Sequence, residues 1–428
     1  MFQPRRTRTA AFIAISALSV GALTGCAANS TSSAGGDNQL EITSWWTSGS
    51  EADALQVLID AVKKADPGLE VENAAVSGGG GANARQALAA RLQASAPPDA
   101  WQLHPAGQLA SYVSGNQVAD ISDLWADNDW AANLPEDVAS AQRVDGKYYT
   151  VPVGVHRGNV LWTSPTVLEA AGVTLDPSAG VDQFVEDMQT VAASGTTAVC
   201  LGDKDVFASA ELLESIIMAR VGADNWNALF TGDYSFDAPE VQQALADYKT
   251  LLGLANSDHS ALTWDEAAKN VGAGKCGVTL MGDWAYGELV NAGYEPKTDF
   301  AWSAFPGETD IFDYVGDGFS IPATNIPNAE AAKVWLETVM DPEVQTAFAA
   351  VKGSIPARTD ADVSSLSEYQ QSAVESFTTA DIVSSLAHGQ VTTAEFSQTY
   401  ADAVSTFNGD GSIDAFIATM TAAQKNQL

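Results

Sequence analysis

Basic residues are scarce in this chain: 20 Lys and Arg stand against 54 Asp and Glu over 428 residues, a formal charge of −34. That balance repels phosphate backbones and excludes nucleic acid as a natural partner. Cysteine is nearly absent, with three in all, and the four histidines are spread over the chain as His104, His156, His259 and His388. None stands at metal-ligand spacing from another, and no His-Glu-x-x-His run or nucleophile motif occurs, so neither a zinc site nor a catalytic triad is indicated. The run Gly78-Gly79-Gly80-Gly81 lacks the Gly-Lys-Ser/Thr ending that grips a nucleotide phosphate, and reads as a flexible lead into a helix at Asn83. Asn408-Gly409-Asp410-Gly411-Ser412 opens like a calcium loop, but Ile413 and Thr419 stand where the turn glycine and the bidentate Glu belong, which leaves a turn. After residue 25 no apolar stretch reaches the roughly 20 residues that cross a bilayer. No cofactor is implied.

What is present begins at the N-terminus. Arg5, Arg6 and Arg8 precede an apolar run from Ala10 to Leu23, which closes on Leu23-Thr24-Gly25-Cys26. A basic segment, a short apolar segment and a small-residue cut site make an export signal, and a cysteine at the cut is where bacteria attach lipid. Residues 1–25 are expected to be a lipoprotein signal peptide and Cys26 the lipidated residue, which places the protein outside the cytoplasm on the outer face of the cell membrane. Residues 26–38, mostly Ser, Gly, Thr and Ala, read as a flexible tether.

The folded body is large enough for two or three domains, and a 46% hydrophobic fraction supplies their cores. Leu40-Glu41-Ile42-Thr43 alternates as a strand, and Leu55, Leu58, Ile59 and Val62 make one helical stripe that ends at Pro67-Gly68. Ser50 and Asp53 are spaced as a capping box for that helix. A strand at Leu69-Glu70-Val71-Glu72, a helix from Ala84 and a strand at Asp99 to His104 repeat the β-α-β unit, which predicts a parallel sheet with ligands at the carboxyl ends of its strands. Trp45, Trp46, Gln102 and His104 fall at such ends. Longer helices begin past residue 153 and mark a second domain. Cys200 and Cys276 lie in strand-like runs in an oxidising compartment, where they either form one disulfide or stay as buried thiols.

Several of the eleven tryptophans sit among polar groups: Trp45-Trp46, Trp264 before Asp265, and Trp284 after Asp283. An indole face packs on the C–H side of a sugar ring while polar neighbours bind its hydroxyls. His104, His156 and His388 are expected as neutral hydrogen-bond donors. The abundant carboxylates keep an extracellular glycoside hydrolase open as an alternative, since two acids flanking a bond would serve.

From Leu40 to about Val404 the chain resembles the family 1 extracellular solute-binding proteins of ABC transporters, the maltose-binding cluster, and is most similar to their glucose- and mannose-binding members. The residues that carry this are Ser44-Trp45-Trp46, Gly79 to Arg85, Trp101-Gln102-Leu103-His104, Val151 to Trp162, Gly274 to Ala285, Lys352 to Arg358 and Ser385 to Gly389. The resemblance implies an α/β, two-lobed periplasmic-binding-protein-like fold with three hinge crossings, near 151–153, 316–319 and 353–356. One lobe would comprise 39–152 and 316–353, the other 153–315 and 354–428. It further implies a ligand site of Trp45, Trp46, Glu51, Gln102, His104, Trp264, Trp284, Asp317, Lys352 and His388, with His156 and Asn159 beside the first crossing. The implied function is that of a monomeric receptor, not an enzyme. It would capture a monosaccharide, glucose or a close aldohexose, and deliver it to the permease subunits of an ABC transporter; a di- or oligosaccharide is the alternative ligand.

Overall fold

The computed structural model describes residues 38–428; the export signal and Cys26 lie outside the described residues. Leu40 and Ile42 point inward from the strand Gln39–Thr43, and Leu55, Leu58, Ile59 and Val62 form the buried stripe of the helix Gly49–Ala65. Lys63 and Lys64 occupy the last turn of that helix, where its dipole favours cations. The expected capping box is absent. Ser48 is the N-cap and makes no side-chain hydrogen bond, while Ser50 is engaged by Glu288. A carboxylate from far along the chain thus replaces the local Asp53, a substitution invisible to any local pattern.

The strand Gln39–Thr43 pairs in parallel with Glu70–Asn73 and Ala100–Leu103. The sheet is not wholly parallel, however. The long strand Ile311–Ser320 runs antiparallel to both Ala100–Leu103 and Val151–Arg157, because it brings the chain back between the lobes in the reverse direction. Its first half pairs in parallel with Asp381–Ser384 and its last residues with Ala100–Leu103, so one continuous strand bridges the two halves of the molecule. A second sheet, in the order Ala301–Ala304, Val160–Thr163, Cys276–Leu280, Thr197–Val199, is mixed as well. Helices cover both sheets, and the architecture is the two-lobed α/β fold expected from the sequence.

The three crossings lie side by side. Val155 pairs with Gly316 in one direction and exchanges backbone hydrogen bonds of 2.9 and 3.0 Å with Ile355 in the other. The register between Val151–Arg157 and Ile311–Ser320 shifts at Asp317/Gly318. Irregularities of this kind re-aim a side chain, and here the one beside it is Asp317. Cys200 and Cys276 are joined, with Cα atoms 5.8 Å apart. Closing a loop of 76 residues stabilises the folded state by about 4 kcal/mol in the chain-entropy account. Among the described residues no helix is long and apolar enough to cross a membrane.

Candidate functional site

Trp45 and Trp46 follow directly on the strand Gln39–Thr43, and Ser44 fixes their turn: its Oγ donates to Gln102 Oε1 at 2.7 Å and accepts from the Trp46 N–H at 3.0 Å. Gln102 also receives the Trp45 N–H at 3.3 Å and donates through Nε2 to Asp317 Oδ1 at 2.8 Å. From the second lobe, a capping box between Thr263 and Glu266 starts the helix Trp264–Gly272 with Trp264 at its first position. Trp284 likewise opens the helix Trp284–Asn291. Lys352 ends the helix Pro342–Lys352, which Gly353 terminates in the left-handed conformation at the third crossing.

Nine of the ten residues expected from the sequence line one cleft: Trp45, Trp46, Glu51, His104, Trp264, Trp284, Asp317, Lys352 and His388. The cavity they enclose is about 40 Å³, far below the roughly 300–1,000 Å³ typical of small-molecule pockets, so a ring-sized ligand enters only if the cleft opens. Gln102 is the exception. Its amide is spent on Ser44, Trp45 and Asp317, so it stands behind the wall and holds it. Three lining groups escaped the sequence reading: Gly80, Phe207 and Val315. Phe207 has no polar neighbour of the kind that singled out the tryptophans. The glycine run is also more than a lead into a helix, because a Cβ on Gly81, at φ +90°, would meet the Trp45 ring at 2.8 Å.

Charges in the cleft are internally matched. The Lys352 ammonium is paired with Glu51 and lies 5.5 Å from the centres of both the Trp46 and the Trp284 rings, within cation–π range. Burial raises the Glu51 pKa despite that partner. His156, fully buried, sits between two carboxylates, with Nδ1 at 2.6 Å from Asp283 Oδ1 and Nε2 at 3.1 Å from Asp317 Oδ2. Burial alone would lower its pKa, but Asp283 and Asp317 reverse that and raise it to about 9. His156 is therefore a charged imidazolium and not the neutral donor expected from the sequence. Burial also opposes ionisation of Asp317, yet His156 and Lys352 hold its carboxyl below the usual carboxylate range.

His104 and His388 stay neutral. Burial pushes His104 down to about 4 and His388 well below its ordinary value. His104 Nδ1 lies 2.8 Å from the Gly316 carbonyl, which can only accept, so Nδ1 carries the proton and Nε2 is left as an acceptor without a protein partner. His388 Nδ1 contacts Ser385 Oγ at 2.8 Å, and that hydroxyl donates onward to Glu214 at 2.8 Å. His388 Nε2 is an acceptor too. Both rings are neutral donors through Nδ1, as expected, while His388 Nε2 lies 3.7 Å from Glu211 Oε1. Their centres are 5.2 Å apart, and His388 lies 5.3 Å from Trp284 and 5.2 Å from Phe207.

These pKa shifts carry opposite signs in stability. The raised His156 contributes stability fully below about pH 6.5, which is lost as pH rises through about 9; the lowered His104 contributes stability above about pH 6.5, which is lost as pH falls through about 4. The thermal midpoint is expected to fall on both sides of neutrality, and His156→Gln to flatten the slope between pH 7 and 10. A scan of melting temperature against pH checks this; an unchanged alkaline slope in His156→Gln would remove His156 as its source.

The family model for bacterial extracellular solute-binding proteins matches residues 48–346, which covers more than half the chain, including the first two of the three crossings and most of the cleft. The chain belongs to that family. An uncharacterised ABC transporter extracellular-binding protein of Pyrococcus horikoshii is 31% identical over 394 residues, 91% of this chain and 88% of the relative. A xylose/arabinose-binding protein of Haloferax volcanii is 25% identical over 394 residues, 90% and 85% of the two chains. Among solved structures, a chitin oligosaccharide binding protein superimposes with a TM-score of 0.80 at 18% identity, covering 92% of this chain and 99% of that one; it shares the fold. A wider chamber of about 460 Å³ adjoins the cleft and shares Phe207 and His388.

Proposed function

We propose that this solute-binding protein captures a monosaccharide, glucose or a close aldohexose, outside the cytoplasm and delivers it to the permease subunits of an ABC transporter. The observation that carries the reading is the composition of the cleft. Indole faces of Trp264 and Trp284 come from one lobe and Trp45 from the other, around acceptors on His104 and His388 and a matched set of charges on Glu51, Lys352, Asp317 and His156. Stacking faces with polar groups and no free charge suit a neutral polyhydroxylated ring. A hexose has about 12 heavy atoms, so a micromolar complex near −8 kcal/mol needs roughly 0.7 kcal/mol per atom, inside the ceiling of about 1.5. Family membership and the sugar-binding names of the relatives support a receptor without turnover. Cys26 is the proposed lipid anchor, and the lobes are proposed as 39–152 with 316–353 and 153–315 with 354–428; the sheet of Ala301–Ala304, Val160–Thr163, Cys276–Leu280 and Thr197–Val199 draws every strand from 153–315, whereas Asp381–Ser384 pairs into the first sheet. Closure about the hinge would trap the sugar and give the permease a closed shape to recognise.

The adjoining chamber, with Gln108, Tyr112 and Gln398 on its walls, favours a second reading in which the ligand is a di- or oligosaccharide. Titration calorimetry with D-glucose, D-mannose, D-galactose, maltose and maltotriose separates the two. The expected result is one site, filled by an aldohexose at micromolar or lower Kd, with the sugar recovered unchanged. Tight binding of maltose or maltotriose alone would favour the second reading, and cleaved sugar would make the protein a hydrolase.

A further inference from the structure

Glu288 joins elements of the two lobes by a close polar contact. Its carboxylate accepts the Ser50 N–H at 2.6 Å and the Ser50 hydroxyl at 3.1 Å, in the first turn of Gly49–Ala65, where unpaired N–H groups and the helix dipole favour an anion. The residue is 6% exposed. Two glycines make the approach possible: a Cβ on Gly49, at φ +57°, would collide with the Glu288 carboxylate, and one on Gly287 would meet Ser50 Oγ at 2.8 Å. Asn291 Nδ2 reaches Asp53 from the next turns at 3.4 Å. On its own side Glu288 stands 3.8 Å from Lys269, which pairs with Asp265 at 2.6 Å.

Three elements therefore meet at one carboxylate, and each carries a group of the cleft. Gly49–Ala65 carries Glu51, Trp264–Gly272 carries Trp264 and Lys269, and Trp284–Asn291 carries Trp284 and Glu288 itself. Glu288 does not line the cleft. We infer that Glu288 is a positioning residue that latches the lobes: it holds the first helix of one lobe against the two tryptophan-bearing helices of the other, and so sets how long a captured ligand stays enclosed. The inference rests on the receptor reading above. A latch acts after encounter, so its loss falls on dissociation and spares association.

The test compares Glu288→Ala, Glu288→Gln and wild type by stopped-flow tryptophan fluorescence with D-glucose, alongside thermal melting and small-angle scattering of the ligand-free protein. Glu288→Ala is expected to raise koff about tenfold, the scale of one hydrogen bond to a charged group, with kon within about twofold. Glu288→Gln, which keeps an acceptor but not the charge, is expected to fall between the two. A koff equal to wild type in folded Glu288→Ala overturns the latch, because a merely structural carboxylate would lower the melting point and leave the rates alone. If wild type binds no sugar, the receptor reading fails separately and the latch is judged on scattering: a larger radius of gyration in Glu288→Ala supports it, an equal radius overturns it.

Discussion

Asp317→Ala is expected to raise the sugar Kd at least a hundredfold, the largest loss of any single change in the cleft. Asp317 is buried, held ionised, and joined to Gln102 at 2.8 Å and His156 at 3.1 Å. Its removal takes away an acceptor for a ring hydroxyl and strips the protonated His156 of one of its two carboxylates. Truncating one partner of a buried charged pair costs about 2–5 kcal/mol, and about 2.7 kcal/mol already corresponds to a hundredfold. Asp317→Asn keeps the shape and loses the charge, so it should recover part of the affinity. Calorimetry on both variants, with melting curves as a fold control, gives the answer. An Asp317→Ala protein that melts like wild type and binds D-glucose equally well would take Asp317 out of the site.

Trp284→Ala should weaken sugar binding by at least tenfold. Its indole packs between His156, Phe207 and His388 at centroid distances of 5.7, 6.2 and 5.3 Å and under Lys352, so it is both a stacking face and a keystone of the aromatic wall. Buried aromatic anchors at the centre of a contact commonly contribute 2 kcal/mol or more, about thirtyfold. Because truncation also opens space beside Lys352, Trp284→Phe serves as the gentler variant and is expected to lose less. Unchanged affinity in both would leave the stacking to Trp45 and Trp264.

The architecture was legible where the pattern is local. Leu55, Leu58, Ile59 and Val62 marked a helix by spacing alone, and Leu40 and Ile42 a strand. The cleft was legible through short motifs, since Trp45-Trp46, Lys352-Gly353 and Leu386-Ala387-His388 each sit at the end of an element that points at the hinge. What escaped depends on residues far apart in sequence. Glu288 takes over the first turn of a helix that a Ser50–Asp53 box seemed to cap. His156 becomes charged only because Asp283 and Asp317 converge on it from 127 residues away at one ring nitrogen and from the neighbouring crossing strand at the other. Gln102 turned out to be support because Ser44, Trp45 and Asp317 all claim its amide. Sheet direction escapes for a similar reason: β-α-β spacing shows the parallel strands, whereas the returning strand Ile311–Ser320 has no local mark of its antiparallel pairing.

A crystal structure of the protein grown with D-glucose tests most directly whether one neutral sugar ring is enclosed by side chains of both lobes at the hinge. The expected result is a single ring between the indoles of Trp264 and Trp284, with hydroxyls within hydrogen-bond distance of Asp317, Lys352, His104 and His388. Glucose found only in the chamber beside Tyr112 and Gln398, with the Trp284 cleft free of it, would contradict the account.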